Sequence, residues 1–174
     1  MTTTDGKGTV VVGVDGSPES AAALAYALDD AARRGAGLRV VAAVRIPEYW
    51  DTAYRQGAPP PPPEFVQADR ESAQRTIDEV VAAAGQRAAG VPLTLDVVTG
   101  VPSAVLGEAS RDADHLVLGH RRRGRIASAV LGSVGLECVL NATCPVTIVP
   151  LEALHPHTPG PRPSDADAAL RPEP

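Results

Sequence analysis

His115-Leu116-Val117-Leu118-Gly119-His120-Arg121-Arg122-Arg123-Gly124-Arg125 decides how this chain is read, together with Gly132-Ser133-Val134, where the segment closes. The apolar run before Gly119 has the length and composition of a short buried strand. Gly132-Ser133 opens a stretch to Asn141 that can be helical, with Ser133 as a capping residue. A strand thus runs into a loop rich in glycine and arginine, and the loop runs into a helix start. Glycines let backbone N–H groups approach an anion, and a helix N-terminus carries partial positive charge, so the arrangement can hold a phosphate chain.

Outward from that point, strand and helix alternate. Thr9 to Val14 is a continuous β-branched run, expected for a strand covered on both faces. Ser17-Pro18-Glu19 reads as a helix start, with Ser at the N-cap, Pro at the first helical position and an acid in the first turn. That Ala-rich helix runs to about Arg34, where Gly35 and Gly37 stop it. Leu38 to Val44 is the second strand. A long helix follows at about Glu64 to Ala89, with Phe65, Ala73, Ile77, Val80, Val81 and Ala84 at helical spacing. Pro92 to Val98 is strand three, Pro102 to Arg111 a short helix, Asp114 to Leu118 strand four, and Pro145 to Val149 strand five. The reading is an α/β fold: an open five-stranded parallel sheet with helices on both faces, joined by right-handed crossovers. In such sheets ligands sit at the carboxyl ends of the strands, at the topological switch point. The ends of strands one and four, Gly13-Val14-Asp15-Gly16-Ser17 and Gly119–Arg125, are expected to face one crevice.

The 174 residues fit one domain, 9–151, after a flexible stretch at 1–8. Residues 46–63 interrupt it with a loop that ends in Pro59–Pro63 and holds the only Trp; flexible-loop packing and a lid or partner contact both remain open. From 152 to 174 the chain turns Pro-, Asp- and Ala-rich and reads as a disordered tail. Only 3% of residues are aromatic, so Ala, Val and Leu must build the core. The net charge of −5 argues against a general nucleic-acid binder, and the arginine cluster suits a small anion better than a duplex. No signal-peptide pattern and no run near the ~20 residues of a membrane span occur, which gives a cytoplasmic reading without membrane contact. Cys138 and Cys144 read as small apolar groups rather than a redox pair, and His115, His120, His155 and His157 form no metal set.

Taken in order, these segments resemble the universal stress protein family over nearly all of residues 9–150. The blocks that carry the resemblance are Val10-Val11-Val12-Gly13-Val14-Asp15-Gly16-Ser17, Val98-Thr99-Gly100-Val101-Pro102, Ala113-Asp114-His115-Leu116-Val117-Leu118-Gly119, Leu131-Gly132-Ser133-Val134 and Cys144-Pro145-Val146-Thr147-Ile148-Val149-Pro150. The resemblance implies a Rossmann-like fold of the adenine nucleotide alpha hydrolase type. The nucleotide-binding branch of that family carries Gly, two residues, Gly, nine residues, then Gly and Ser or Thr. Gly119 and Gly132-Ser133 match it, and Arg122 stands where the middle glycine would be. Side-chain bulk there meets the phosphate approach, while Gly124 can relieve the turn and the arginine can add charge.

By resemblance, Asp15 accepts from the adenine or ribose end with Gly13 and Val14 beside it, and Ala43 lines the adenine slot. Gly119, Arg121, Arg123, Gly124, Gly132 and Ser133 surround ribose and phosphates, and Val134 lends its N–H. The implied ligand is ATP, with AMP as the smaller alternative and Mg²⁺ as companion. Val146 to Val149 is the implied edge for antiparallel homodimer pairing, which would also cover an otherwise open strand. Each residue has a plainer role as well: Asp15 as a turn former, the arginines as a solvated run, Gly132-Ser133 as a helix cap.

Three functions compete. One is a stress-response protein that binds an adenine nucleotide and changes partners accordingly. Another is the same fold acting as a dimeric interaction module without nucleotide. An enzyme such as a slow ATPase finds least support, because there is no Walker lysine, no Gly-x-Ser-x-Gly elbow and no base at the loop.

Overall fold

The computed structural model describes residues 8–45, 63–120 and 132–151. Among these, five strands form one parallel sheet in the order β3-β2-β1-β4-β5, with β1 at Thr9–Val14, β2 at Gly37–Val44, β3 at Leu93–Thr99, β4 at His115–Gly119 and β5 at Val146–Val149. The helices are α1 (Pro18–Arg34), α2 (Pro63–Ala84), α3 (Pro102–Ala109) and α4 (Ser133–Asn141). The doubly wound α/β architecture expected from the sequence is thus the one observed.

Alternation along the strands sorts the core into two faces. Val10, Val12, Leu38, Val40 and Val117 meet α1 and α2, and Val11, Val41, Leu116 and Leu118 meet α3 and α4. The apolar groups α1 buries are small or branched, Ala22, Ala23, Ala27 and Ala31 with Leu24 and Leu28. That choice lets a helix sit close to a β-branched sheet. The helix begins as its sequence dictates: the Ser17 hydroxyl accepts from Ser20 N–H at 3.2 Å, and Pro18 opens the first turn. It ends at Gly35, left-handed at φ 62°, with Gly35 and Ala36 N–H donating to Ala32 and Ala31 carbonyls.

Three boundaries differ from the sequence reading. The long helix is α-helical only to Ala84, and Gly85 to Ala88 form a 3₁₀ turn, because Gly85 takes φ 54° and leaves the right-handed helix. The short helix stops at Ala109 and tightens into a 3₁₀ turn over Ser110–Asp112, where the Ser110 hydroxyl donates back to the Gly107 carbonyl at 2.7 Å. The last helix starts at Ser133 with Gly132 as its N-cap, and no side chain caps it. Ser133 therefore does not perform the capping role assigned from the sequence. Being already inside the helix, its hydroxyl no longer precedes the orphan N–H groups it would have to satisfy.

Candidate functional site at the sheet's carboxyl edge

The chain lays down β1, β2 and β3 toward one side, then crosses back to place β4 on the other side of β1. The switch point therefore lies between β1 and β4. Their pairing runs from Val10–His115 to Val12–Val117, whereas β1 stays paired with β2 as far as Val14–Ala42. Direct β1–β4 pairing ends at Val12 and Val117, and Gly13-Val14-Asp15 and Leu118-Gly119-His120 follow as the two strand ends at the switch point.

Both strand-end glycines have a packing reason to be glycine. A Cβ on Gly119 would lie 2.6 Å from the Glu19 carbonyl carbon and 2.9 Å from Ser20 N, so the first turn of α1 rests directly on the end of β4. A Cβ on Gly13 would meet Leu118 at 2.9 Å and Leu106 at 3.1 Å, side chains that already fill the space above it. Val14 points to the opposite face and is 5% exposed, so only its peptide groups are left to meet a ligand. Asp15 is exposed and turns the chain into α1: its carboxylate accepts from Ser17 N–H at 3.1 Å and from the Ser17 hydroxyl. Its own N–H points at the Ser20 hydroxyl, 3.4 Å away.

Gly132 is different. It holds φ 61° and ψ 151°, a conformation that favours glycine, and among the described residues no atom lies within 4 Å of the place a Cβ would occupy. The α4 helix starts immediately behind it, with Ser133 exposed and Val134 half-buried on the second face. Arg121, Arg123 and Gly124, together with Arg122, lie outside the described residues.

Ala43 is half-buried and registered opposite Val98 of β3. Val98 lines an open groove of about 520 Å³ that runs beside α3, floored by Val41 and by Arg39 and walled by Val101, Val105 and Glu108. Arg39 Nε lies 2.6 Å from Asp96 Oδ2, an ion pair fixing the lower end of that floor. The sequence reading did not find this groove, although Arg39 and Asp96 lie two positions apart in register on the same face of adjacent strands.

A model of the universal stress protein family matches residues 8–150. The chain belongs to that family. Universal stress protein Rv2624c of Mycobacterium tuberculosis is 32% identical over 141 residues, covering 81% of this chain and 47% of that protein. The chain spans about half the length of the curated relatives it matches, 47 to 51%. Among solved structures, universal stress protein UspA from Lactobacillus plantarum superposes with a TM-score of 0.62 at 20% identity, over 82% of this chain and 97% of that one. A universal stress protein crystallised with cAMP gives a TM-score of 0.53 at 27% identity, over 83% of this chain and 98% of that one.

The sequence reading also missed a buried polar chain at the opposite edge of this universal stress protein's sheet. Asp30 and His115 are each 5% exposed. His115 Nδ1 lies 2.8 Å from Asp30 Oδ2, and Nε2 lies 2.7 Å from the Thr147 hydroxyl on β5. Arg33 and Arg34 reach the same carboxylate at 3.2 and 2.7 Å. Burial alone would raise the Asp30 carboxyl, but the bonds from His115, Arg33 and Arg34 outweigh it and hold the group below the usual carboxylate range. With Asp30 ionised, Nδ1 donates to it, and in the neutral ring Nε2 then accepts from Thr147. The available signal was Asp30 falling on the Ala23-Ala27-Ala31 face of α1.

The cysteines behave as read. Cys138 is 1% exposed, and its thiol is pushed up to about 11 by burial and then by the Glu137 charge. Cys144 is half-buried and also raised, by burial and then by Asp114. Among the described residues no cluster could hold a metal ion, and no helix is long and apolar enough to cross a membrane.

Proposed function

We propose that this universal stress protein binds an adenine nucleotide, ATP foremost, in the crevice between the ends of β1 and β4, and that occupancy regulates its association with a protein partner. The observation that carries the reading is Gly132: a positive-φ glycine, with open space around it among the described residues, that heads the helix following β4, where an anion would meet backbone N–H groups and the positive end of the α4 dipole. A relative 27% identical to this chain was crystallised with cAMP, which supports the same ligand class. Ser133 and the Val134 N–H would take phosphate oxygens, Asp15 would take the ribose end or a Mg²⁺ bound to phosphates, and Ala43 with Val98 would face the base. Mg²⁺, when bound, would neutralise phosphate charge; no described residue besides Asp15 is placed to hold it. We read the protein as a cytoplasmic homodimer paired along β5 and as a binding protein rather than an enzyme.

The packing of Gly13 and Gly119 favours one alternative, an interaction module that binds no nucleotide, because neither glycine needs a ligand to explain it. Calorimetric titration of ATP with Mg²⁺, after mass spectrometry for nucleotide retained through purification, separates the two. Micromolar binding that Gly132→Val abolishes at unchanged fold supports the nucleotide reading. Absence of both binding and retained nucleotide moves the assignment to the interaction module.

A further inference from the structure

The groove beside α3 begins where the proposed contact to the base ends. Ala43 and Val98 are register partners, so their side chains stand on one face of the sheet. Val41, one pleat below Ala43 on β2, points to the same face. Val41 and Val98 both belong to the floor of the groove, which holds about 520 Å³. That volume lies within the range of about 300–1,000 Å³ found for small-ligand sites. α3 packs over β2 and leaves Val98 39% exposed, with Val101 of the turn before it 59% exposed.

The upper part of the groove is apolar and fixed. A Cβ on Gly100 would lie 2.9 Å from Val105, so the turn from β3 into α3 is drawn tight against the helix. The Gly100 N–H donates to the Val44 carbonyl at 2.9 Å and holds that turn on the end of β2. Lower down the character changes. Arg39 is engaged by Asp96 at 2.6 Å, and Glu108 and Asp112 stand along the same stretch of wall. The apolar stretch from Val98 to the level of Asp96 is two strand residues, about 7 Å, enough for one ring or a branched chain of about five carbons.

A nucleotide with its phosphates at the start of α4, after β4, and its base at Ala43 of β2 would lie across the strand ends with its far edge toward β3. Ribose joins the purine at N9, and the C6 amino group lies on the opposite side of the ring system. The N6 position would therefore face Val98 and the mouth of the groove. We propose that the groove receives a substituent on N6, so that the preferred ligand is an adenine nucleotide carrying a short apolar group there. The inference rests on the nucleotide reading above and adds to it the class of base. A charged or longer group would meet the Arg39–Asp96 pair and the carboxylates of Glu108 and Asp112, which sets the limit of length and polarity.

Calorimetric titration with Mg²⁺ tests it with two ligands, ATP and N6-benzyl-ATP, on the native chain and on Ala104→Trp. Ala104 is exposed on α3, lines the groove and takes no part in the contacts proposed for ATP, and circular dichroism checks that the variant is folded. The native chain is expected to bind N6-benzyl-ATP roughly tenfold more tightly than ATP, from the ring surface removed from water. In Ala104→Trp the indole fills the groove, so the advantage should vanish while ATP affinity stays. N6-benzyl-ATP binding no better than ATP to the native chain overturns the inference and leaves the nucleotide reading standing. An advantage that survives Ala104→Trp places the benzyl group elsewhere and overturns the groove as its site. A native chain that binds neither ligand overturns the nucleotide reading and the inference together.

Discussion

Gly119→Ala separates a glycine kept for packing from one kept for a ligand. The added methyl would sit 2.6 Å from the Glu19 carbonyl carbon and 2.9 Å from Ser20 N, where ordinary contact begins at 3.4 Å. Those are backbone atoms, so no side chain can swing away. Relief requires moving the first turn of α1 by about half an ångström or more, and α1 is a 17-residue helix tied at its far end by Asp30 to His115. Overpacking of this kind costs about 1–3 kcal/mol. The smaller entropy of an unfolded alanine returns about 0.4–1 kcal/mol. The net loss is about 1–2 kcal/mol, equivalent to a fall in Tm of about 2–8 °C for a domain this size. Thermal unfolding followed by circular dichroism measures it directly. A Tm equal to or above that of the native chain would refute the reasoning, since α1 could not then rest on the end of β4, and the glycine would have to be explained by a ligand. Gly132→Ala is the companion measurement: with no described atom near a Cβ there, the cost is backbone strain, about 1–3 kcal/mol.

Two other outcomes follow from the titrating groups. The Asp30 carboxyl is held below its unfolded value of about 3.9, so its contribution to stability is complete above that pH and is lost as pH falls through the depressed folded value. Asp30→Asn should flatten the acid limb of a stability–pH profile measured by urea unfolding; a limb of unchanged steepness would show that other carboxylates govern it. Cys138, buried and pushed up to about 11, should not react with Ellman's reagent in the native protein at pH 8, and Cys144 should react slowly. Rapid titration of both thiols without denaturant would mean that α4 does not seat on the sheet.

How far the sequence could be read depended on the range of the interaction involved. Strands such as Thr9–Val14 and the caps at Ser17 and Gly35 are written in local chemistry, a β-branched run, a hydroxyl before a proline, a glycine after the last helical turn, and all were legible. The ends of α2 and α3 were not, because a helical pattern continues past Gly85 and Ser110 while one positive φ and one hydroxyl-to-carbonyl bond end the helix. Gly13 and Gly119 show the deeper limit. Gly119 matches a phosphate-binding motif and Gly13 lies in the block expected beside the nucleotide, yet the atoms nearest to their missing side chains belong to Leu106, Leu118, Glu19 and Ser20. A glycine forced by a neighbour distant in sequence looks the same, in one dimension, as a glycine offered to a ligand. Among the described residues, Gly132 alone of the three has open space around it, so the proposed nucleotide site rests on that glycine rather than on Gly13 or Gly119.

The polar bonds of the sheet explain why such a site can be built at one end without loosening the whole. At the amino edge the strands are tied across one another: Thr9 N–H donates to Asp114 at 2.6 Å while Asp114 N–H returns to the Thr9 carbonyl at 2.9 Å. The Asp30–His115–Thr147 chain joins α1, β4 and β5 through a buried imidazole with both nitrogens satisfied. Ser110 and Thr143 tie the end of α3 to the segment before β5 at 3.2 Å. None of the buried side-chain polar atoms among the described residues lacks a partner. These bonds fix the relative positions of the elements from below, so direct pairing of β1 and β4 can end at Val12 and Val117 while the sheet keeps its register. The consequence is a separation of roles along each strand. Changes at Asp30, His115 or Thr147 should act on stability, whereas a change at Gly132, which takes part in none of these ties, should act on the proposed nucleotide site.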